Sequence, residues 1–263
     1  MTKIVLIGAG NVATHIGKAL NAKGFDIVQV YNRTLATAQE LSKRLQASAT
    51  DSLPDLYTQA DLYIFAVKDA ALADLLPQMP TTTGIWVHTA GSLPMSVFEG
   101  SSSNYGVIYP LQTFSKERPV SFDHLPLFVE GNTARNEDFL ADIAAVLSDT
   151  VMRLPSEKRQ YLHLAAVFAC NFVNHMYDIA AQILEKESLP YELLLPLIEE
   201  TAAKIKTMPP RQAQTGPAVR YDDNIIRRHL ELLKNDLNNQ EIYSQISKNI
   251  HFFSYLCRLF YEK

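Results

Sequence analysis

The chain has 263 residues, 47% hydrophobic and 20% charged, which excludes a disordered or collagen-like polypeptide and fits one large or two modest globular domains. Lys plus Arg number 24 against 28 Asp plus Glu, a formal net charge of −4. A general nucleic-acid binder is thereby disfavoured, because neutralising phosphates needs a basic footprint.

The N-terminal MTKIVLIGAG starts with a short apolar run, Lys3–Ile7, too short and too soon interrupted by glycine for a signal peptide. A helical stretch from about 11 to 23 follows, then the β-branched Asp26–Tyr31 and a second helical stretch, Thr34–Leu45. Asp61–Val67, Ile85–His88, Tyr105–Tyr109, Leu127–Val129 and Thr150–Leu154 read as further strands. Strands alternating with helix-sized segments predict a mostly parallel sheet wrapped by helices on both faces. Nine of the ten glycines lie between Gly8 and Gly131, so turns are expected in the first half and helices in the second. The predicted domains are an α/β dinucleotide-binding domain over 1–154 and an all-helical domain over 155–263. Helices are expected near 157–187, 190–207, 222–235 and 239–261, broken at Leu189-Pro190, Pro209-Pro210 and Thr215-Gly216-Pro217.

Residues 160–184 carry one formal charge, yet His163, Asn171, Asn174, His175 and Asp178 interrupt them, so a lipid-facing span is not expected. Cys170 and Cys257 lie far apart without CxxC spacing, which speaks against a disulfide framework or zinc ribbon and for a reducing cytoplasm. No metal site and no membrane partner are expected.

Gly8-Ala9-Gly10-Asn11-Val12-Ala13 fits G-x-G-x-x-A directly after a strand and at the start of a helix. Gly8 permits the tight turn, Gly10 the close approach of a pyrophosphate, and Ala13 the helix–strand packing. Free N–H groups at the helix start and the helix dipole favour the anion. Sites for NAD place an acid about 20 residues on, to bind the ribose hydroxyls. This chain has Asn32-Arg33-Thr34 there instead. A guanidinium forks onto a 2′-phosphate, with Asn32 and Thr34 as further donors, so NADP(H) is the expected cofactor; the alternative is Arg33 as a plain surface residue.

These features, with Phe65-Ala66-Val67-Lys68-Asp69 and the helical second half, resemble the 6-phosphogluconate-dehydrogenase-like superfamily, among them pyrroline-5-carboxylate reductase and deazaflavin-dependent NADP oxidoreductase. The runs His88-Thr89-Ala90-Gly91-Ser92, Tyr109-Pro110-Leu111-Gln112-Thr113-Phe114 and Thr215–Asp222 resemble a branch joining a Rossmann-like domain to the domain of unknown function 2520. The resemblance implies that Ala66, Val67 and Lys68 border the ribose and nicotinamide, and that the helical domain forms a homodimer. It also exposes a departure. Hydroxyacid dehydrogenases of the superfamily carry Lys-x-x-x-Asn on the first long helix, and aligning that Asn with Asn171 puts Val167 in the lysine's place.

On a helix turning ~100° per residue, Asn171, Asn174 and Asp178 fall about 80°, 20° and 60° from His163, a polar stripe on an apolar helix. Such a stripe lines a cleft or bonds to other helices and a dimer partner. Asn171 and Asn174 are therefore candidates to hold a substrate, and His88, at a strand end, to protonate it; His88 is equally readable as a core histidine fixing its turn. Ser92, Gln112 and Arg220 are candidate substrate contacts, Arg220 alternatively a structural salt-bridge residue. The expected function is an NADP(H)-dependent oxidoreductase moving a hydride to or from a small carbonyl or imine substrate. The alternative is a non-catalytic NADP(H) sensor acting through its helical dimer domain.

Overall fold

The structure, a computed structural model, describes the backbone of residues 1–261 and side chains through Tyr255. Cys257 and the end of the helix expected near 239–261 lie outside the described side chains. The chain forms two compact units, Met1–Phe172 and the residues from Val173 onward.

The first unit is built on eight strands: β1 (Lys3–Ile7), β2 (Asp26–Tyr31), β3 (Ser48–Thr50), β4 (Leu62–Phe65), β5 (Ile85–His88), β6 (Tyr105–Pro110), β7 (Leu127–Gly131) and β8 (Val151–Arg153). They form one sheet in the order β3-β2-β1-β4-β5-β6-β7-β8. All neighbours are parallel except β6 and β7. A parallel partner needs a crossover, usually helical, and residues 111–126 contain no helix, so the chain returns antiparallel. The helices of this unit are α1 (Asn11–Ala22), α2 (Leu35–Leu45), α3 (Asp69–Leu75), α4 (Ala134–Leu147) and α5 (Ser156–Ala166).

Strand side chains alternate between faces, and the core divides accordingly. Ile4 and Leu6 pack with Ile16 and Leu20 of α1, Leu41 and Leu45 of α2, and Leu140 and Ile143 of α4. Val5 and Ile7 turn the other way, to Tyr63, Phe65, Leu72, Trp86 and Phe98. A third cluster joins Val107, Tyr109 and Phe128 to Leu162 of α5.

The stretch expected as one helix over 157–187 is continuous but not uniform. After α5 it passes through a π-helix, Val167–Phe172, and resumes as α6 (Val173–Lys186). The second unit continues with α7 (Leu195–Thr207), α8 (Pro210–Ala213), α9 (Pro217–Arg220), α10 (Asp223–Leu232) and α11 (Leu237–Tyr261). The predicted breaks at the prolines and Gly216 separate these helices. Asp222 caps α10, its carboxylate accepting from the Ile225 N–H. Among the described residues, no helix is long and apolar enough to cross a membrane.

Candidate functional site

The strand order reverses between β1 and β4, and open α/β sheets bind ligands at such a point, outside the carboxyl ends of the strands. Gly8 follows β1 with φ +112°, and its N–H donates to the Tyr31 carbonyl at 2.8 Å. A Cβ there would sit 2.5 Å from the Ala66 carbonyl oxygen, so only glycine lets the ends of β1 and β4 come this close. Gly10 faces open space, with nothing within 4 Å of where a Cβ would be. Ala13 is fully buried among the core residues of β1 and α1. The first turn of α1 carries no acidic residue, and its N–H groups have no intrahelical partner. A pyrophosphate fits this turn on charge, space and donors alike.

Each remaining candidate has a definite place. Asn11 does not aim its amide at the turn but donates to the Phe114 carbonyl at 2.8 Å. Val12 is half-buried on the same turn. Asn32 is half-buried, its amide donating locally to the Thr34 carbonyl at 3.1 Å, whereas Arg33 is exposed and has no ion pair among the described residues. Ala66 and Val67 lie against the Gly8 turn. Lys68 is exposed at the N-cap of α3. Ser92 donates its hydroxyl to Asp69 and accepts at its carbonyl from Gln160, tying α3, the loop after β5 and α5 together. Arg220 is exposed on α9 in the second unit.

The expectation of His88 as a proton donor meets a different environment. Its ring is 1% exposed, packed on Phe98, with Nδ1 accepting from the Ala90 N–H at 3.2 Å. That acceptor role puts the ring proton on Nε2, which faces the Pro94 carbonyl at 3.4 Å. Burial, helped by the Arg159 guanidinium, pushes its pKa down to about 4. At neutral pH His88 is an uncharged core histidine that fixes the turn after β5.

A cavity of about 670 Å³ opens beside this turn instead, lined by Tyr109, Gln112, Thr113, Phe114, His163, Cys170 and Asn171 among others. The Tyr109 hydroxyl lies 3.1 Å from Nδ1 of His163. The π-helix carries Cys170 and Asn171 onto the wall. Its i→i+5 bonding turns less per residue than an α-helix, so the stripe drawn at uniform pitch does not continue. His163 and Asn171 both line the cavity, whereas Asn174 is exposed on α6, in the second unit.

One loop joins the two features. Besides the bond from Asn11, His15 at the second turn of α1 stacks on Phe114 at 5.0 Å and bonds the Ser115 carbonyl at 2.9 Å. Leu111–Ser115 is thus a strap pinned to the start of α1 at one end and lining the cavity at the other.

Beneath lies a buried ion pair that sequence reasoning did not reach. Arg159 of α5, fully buried, meets Glu130 of β7 at 2.6 Å and also donates to the Leu93 carbonyl and Ser156 hydroxyl. Ser156 returns two bonds to Glu130. The network fixes α5, and so His163 one turn on, against the sheet.

Comparison with known proteins gives this geometry its context. A family model described as a domain of unknown function, DUF2520, matches residues 125–250, and a shikimate/quinate 5-dehydrogenase model matches residues 1–72. The crystal structure of a protein from Bacteroides fragilis, termed a putative NADP oxidoreductase, is 50% identical, covering 95% of this chain and 98% of its own with a TM-score of 0.92. The chain belongs to the Rossmann-like DUF2520 family. Its fold extends to more distant proteins. An imine reductase from Myxococcus stipitatus, solved in complex with NADP+, shares 18% identity over 97% of this chain and 93% of its own, at a TM-score of 0.66. Glutamyl-tRNA reductase of Archaeoglobus fulgidus is 25% identical over 191 residues, which is 70% of this chain but 40% of that protein. The chain therefore spans well under half of that relative.

Proposed function

We propose that this DUF2520 protein is a cytoplasmic NADP(H)-dependent oxidoreductase that moves a hydride to or from a small carbonyl or imine compound. One observation supports the reading: the Leu111–Ser115 strap bonds to α1 beside the Gly8–Ala13 turn and also lines a cavity with amide, hydroxyl and imidazole groups. The names of the Bacteroides and Myxococcus proteins agree with it.

Backbone N–H groups from Gly10 to Ala13 hold the pyrophosphate, and Arg33, with Asn32 and Thr34 shaping its turn, takes the 2′-phosphate. Ala66, Val67 and Lys68 border the path along the carboxyl edge. Bound nicotinamide supplies or accepts the hydride, and the protein orients the reactants and stabilises charge. Gln112 and Asn171 are neutral amides suited to hold a carbonyl oxygen or imine nitrogen. Ser92 supports the loop behind them. Arg220 and Asn174 of the helical unit are further candidate substrate contacts, and that unit is the proposed homodimer surface.

Calorimetric titration tests the cofactor: NADPH binds more tightly than NADH, and Arg33→Ala removes about 1.5–3 kcal/mol, a ten- to hundredfold preference. Equal affinities would remove Arg33 from the site. Substrate-dependent NADPH oxidation with cyclohexanone, cyclohexanone plus methylamine, and 1-pyrroline tests the reaction. NADPH binding without turnover of any of them would favour a nucleotide sensor.

A further inference from the structure

We propose that the Tyr109 hydroxyl is the proton donor to a carbonyl or imine compound bound in the cavity, and that His163 returns the proton from water. The inference rests on the oxidoreductase reading and supplies what that reading lacks, since His88 is sealed in the core and Val167 takes the place of a lysine.

Three elements converge to build the pair. Tyr109 stands near the end of β6, two residues beyond the register partner of His88, on the edge where the cofactor crevice opens. Its side chain is 7% exposed, and its hydroxyl meets Nδ1 of His163 at 3.1 Å, with the rings edge-on at 76°. His163 comes from α5, one turn beyond the anchored Arg159. Gly91, in the loop after β5, completes the fit: a Cβ there would lie 2.6 Å from His163 Cγ and Nδ1, so the loop leaves the imidazole its place. Tyr109 and His163 both line the cavity together with Gln112 and Asn171.

The electrostatics around Tyr109 act in two directions. Burial pushes the Tyr109 phenol up, keeping it protonated at neutral pH, while the Arg159 cation opposes that shift and steadies the phenolate that forms after transfer. A reduced nicotinamide dinucleotide supplies the hydride and its electron pair to the carbon of the C=O or C=N group. The oxygen or nitrogen keeps the former π pair and takes the proton from Tyr109 as the phenolic O–H breaks. The phenolate then takes the Nδ1 proton of His163 as its half-buried ring takes a proton from water at Nε2, which leaves hydroxide to the solvent; proton exchange with water returns the ring to its Nδ1–H tautomer before the next turnover. One hydride and one proton are consumed for each alcohol or amine formed.

The test uses the purified full-length protein with NADPH and the three probes named above. Tyr109→Phe keeps the ring and is expected to lower kcat by 10²-fold or more, the scale of general-acid catalysis, with NADPH affinity within about threefold. In the cofactor-free protein, the same variant shifts the His163 ring ¹⁵N resonances, a readout independent of turnover. His163→Ala is expected to lose about tenfold in kcat, partly restored by free imidazole, which a merely structural role would not permit. Wild-type turnover with Tyr109→Phe within threefold of it overturns the proposal and leaves the oxidoreductase reading standing. Unmoved His163 resonances in Tyr109→Phe, or no imidazole rescue, overturns the relay. NADPH binding without turnover by the wild type overturns the reading and the proposal together.

Discussion

The two units solve the problem of burial in opposite ways. In Met1–Phe172 every central strand is sealed on both faces, and even polar groups such as Arg159, His88 and Glu130 are taken inside and given partners. From Val173 to Tyr255 only Ala218, Ile226 and Ser247 are buried, while Leu193, Leu197, Leu232 and Leu237 lie 63%, 63%, 77% and 71% exposed. The first unit is a densely buried scaffold. The second carries apolar surface that its own helices do not cover, the pattern of an interaction surface. A single sequence thus pairs a sealed scaffold with a unit that leaves much of its apolar surface exposed, and that contrast can be tested at its strongest point first.

The strongest point is the buried Arg159–Glu130 pair. Arg159→Met strands Glu130 in the interior, and breaking such a pair costs about 3–5 kcal/mol. Urea unfolding should show that loss at pH 7, and Glu130→Met added to it should recover part. Exposed pairs of the second unit behave differently: Lys186→Met, which removes the partner of Asp236 at 3.1 Å, should change stability by under ~1 kcal/mol. Comparable losses would erase the contrast.

Acid should find the first unit next. His88 has its folded pKa depressed to about 4 against 6.5 for the free side chain. Between those values the unfolded chain binds the extra proton, so stability from this group is present above pH 6.5 and is lost as pH falls toward 4. The shift corresponds to on the order of 3 kcal/mol. Denaturant midpoints should fall from pH 7 to pH 4.5, and His88→Asn should flatten that slope even while lowering stability at pH 7. An unchanged slope would mean that His88 is not sealed.

Legibility followed the range of the interactions involved. The turn Gly8–Ala13 and the strands Lys3–Ile7, Asp26–Tyr31 and Ile85–His88 were readable because local chemistry determines them: glycine at positive φ and β-branched runs. Ser48–Thr50 was not, since three residues become a strand only by pairing with β2. The π-helix is likewise invisible to a uniform helical pitch. Glu130 and Arg159 lie 29 residues apart, and no spacing rule joins a strand carboxylate to a guanidinium on a later helix. His88 could be read two ways because the Phe98 and Pro94 groups that enclose it arrive from a following loop. Asn11 sits at the right place in the nucleotide turn, yet its amide serves the strap, a contact made across 103 residues.

The uncovered helices of the second unit set the next prediction. Sedimentation at micromolar concentration should give a dimer of the 29.5 kDa chain. Burying a leucine fully contributes about 1.5–3 kcal/mol, so Leu197→Ser with Leu232→Ser should move the equilibrium toward monomer if both meet the second copy. A wild-type monomer at that concentration would count against the homodimer. Unaltered association of the double variant would exclude those two side chains from the interface.

The smallest effect offers the cleanest comparison, because the same chemistry caps a helix in each unit. Thr133 caps α4, its hydroxyl accepting from the Asn136 N–H at 3.2 Å, and Asp222 caps α10, its carboxylate accepting from the Ile225 N–H at 3.4 Å. Replacing either by Ala removes an N-cap and costs about 1 kcal/mol. The difference lies in where the loss is felt. Helix α4 is locked into the core through Leu140, Ile143, Ala144 and Leu147, so Thr133→Ala should lower protection of amides throughout the sheet by about fivefold in hydrogen exchange. In α10 only Ile226 is buried, and Asp222→Ala should weaken protection within 223–233 and leave the sheet amides unchanged. Equal spreading of both losses through the sheet would mean that the two units unfold as one.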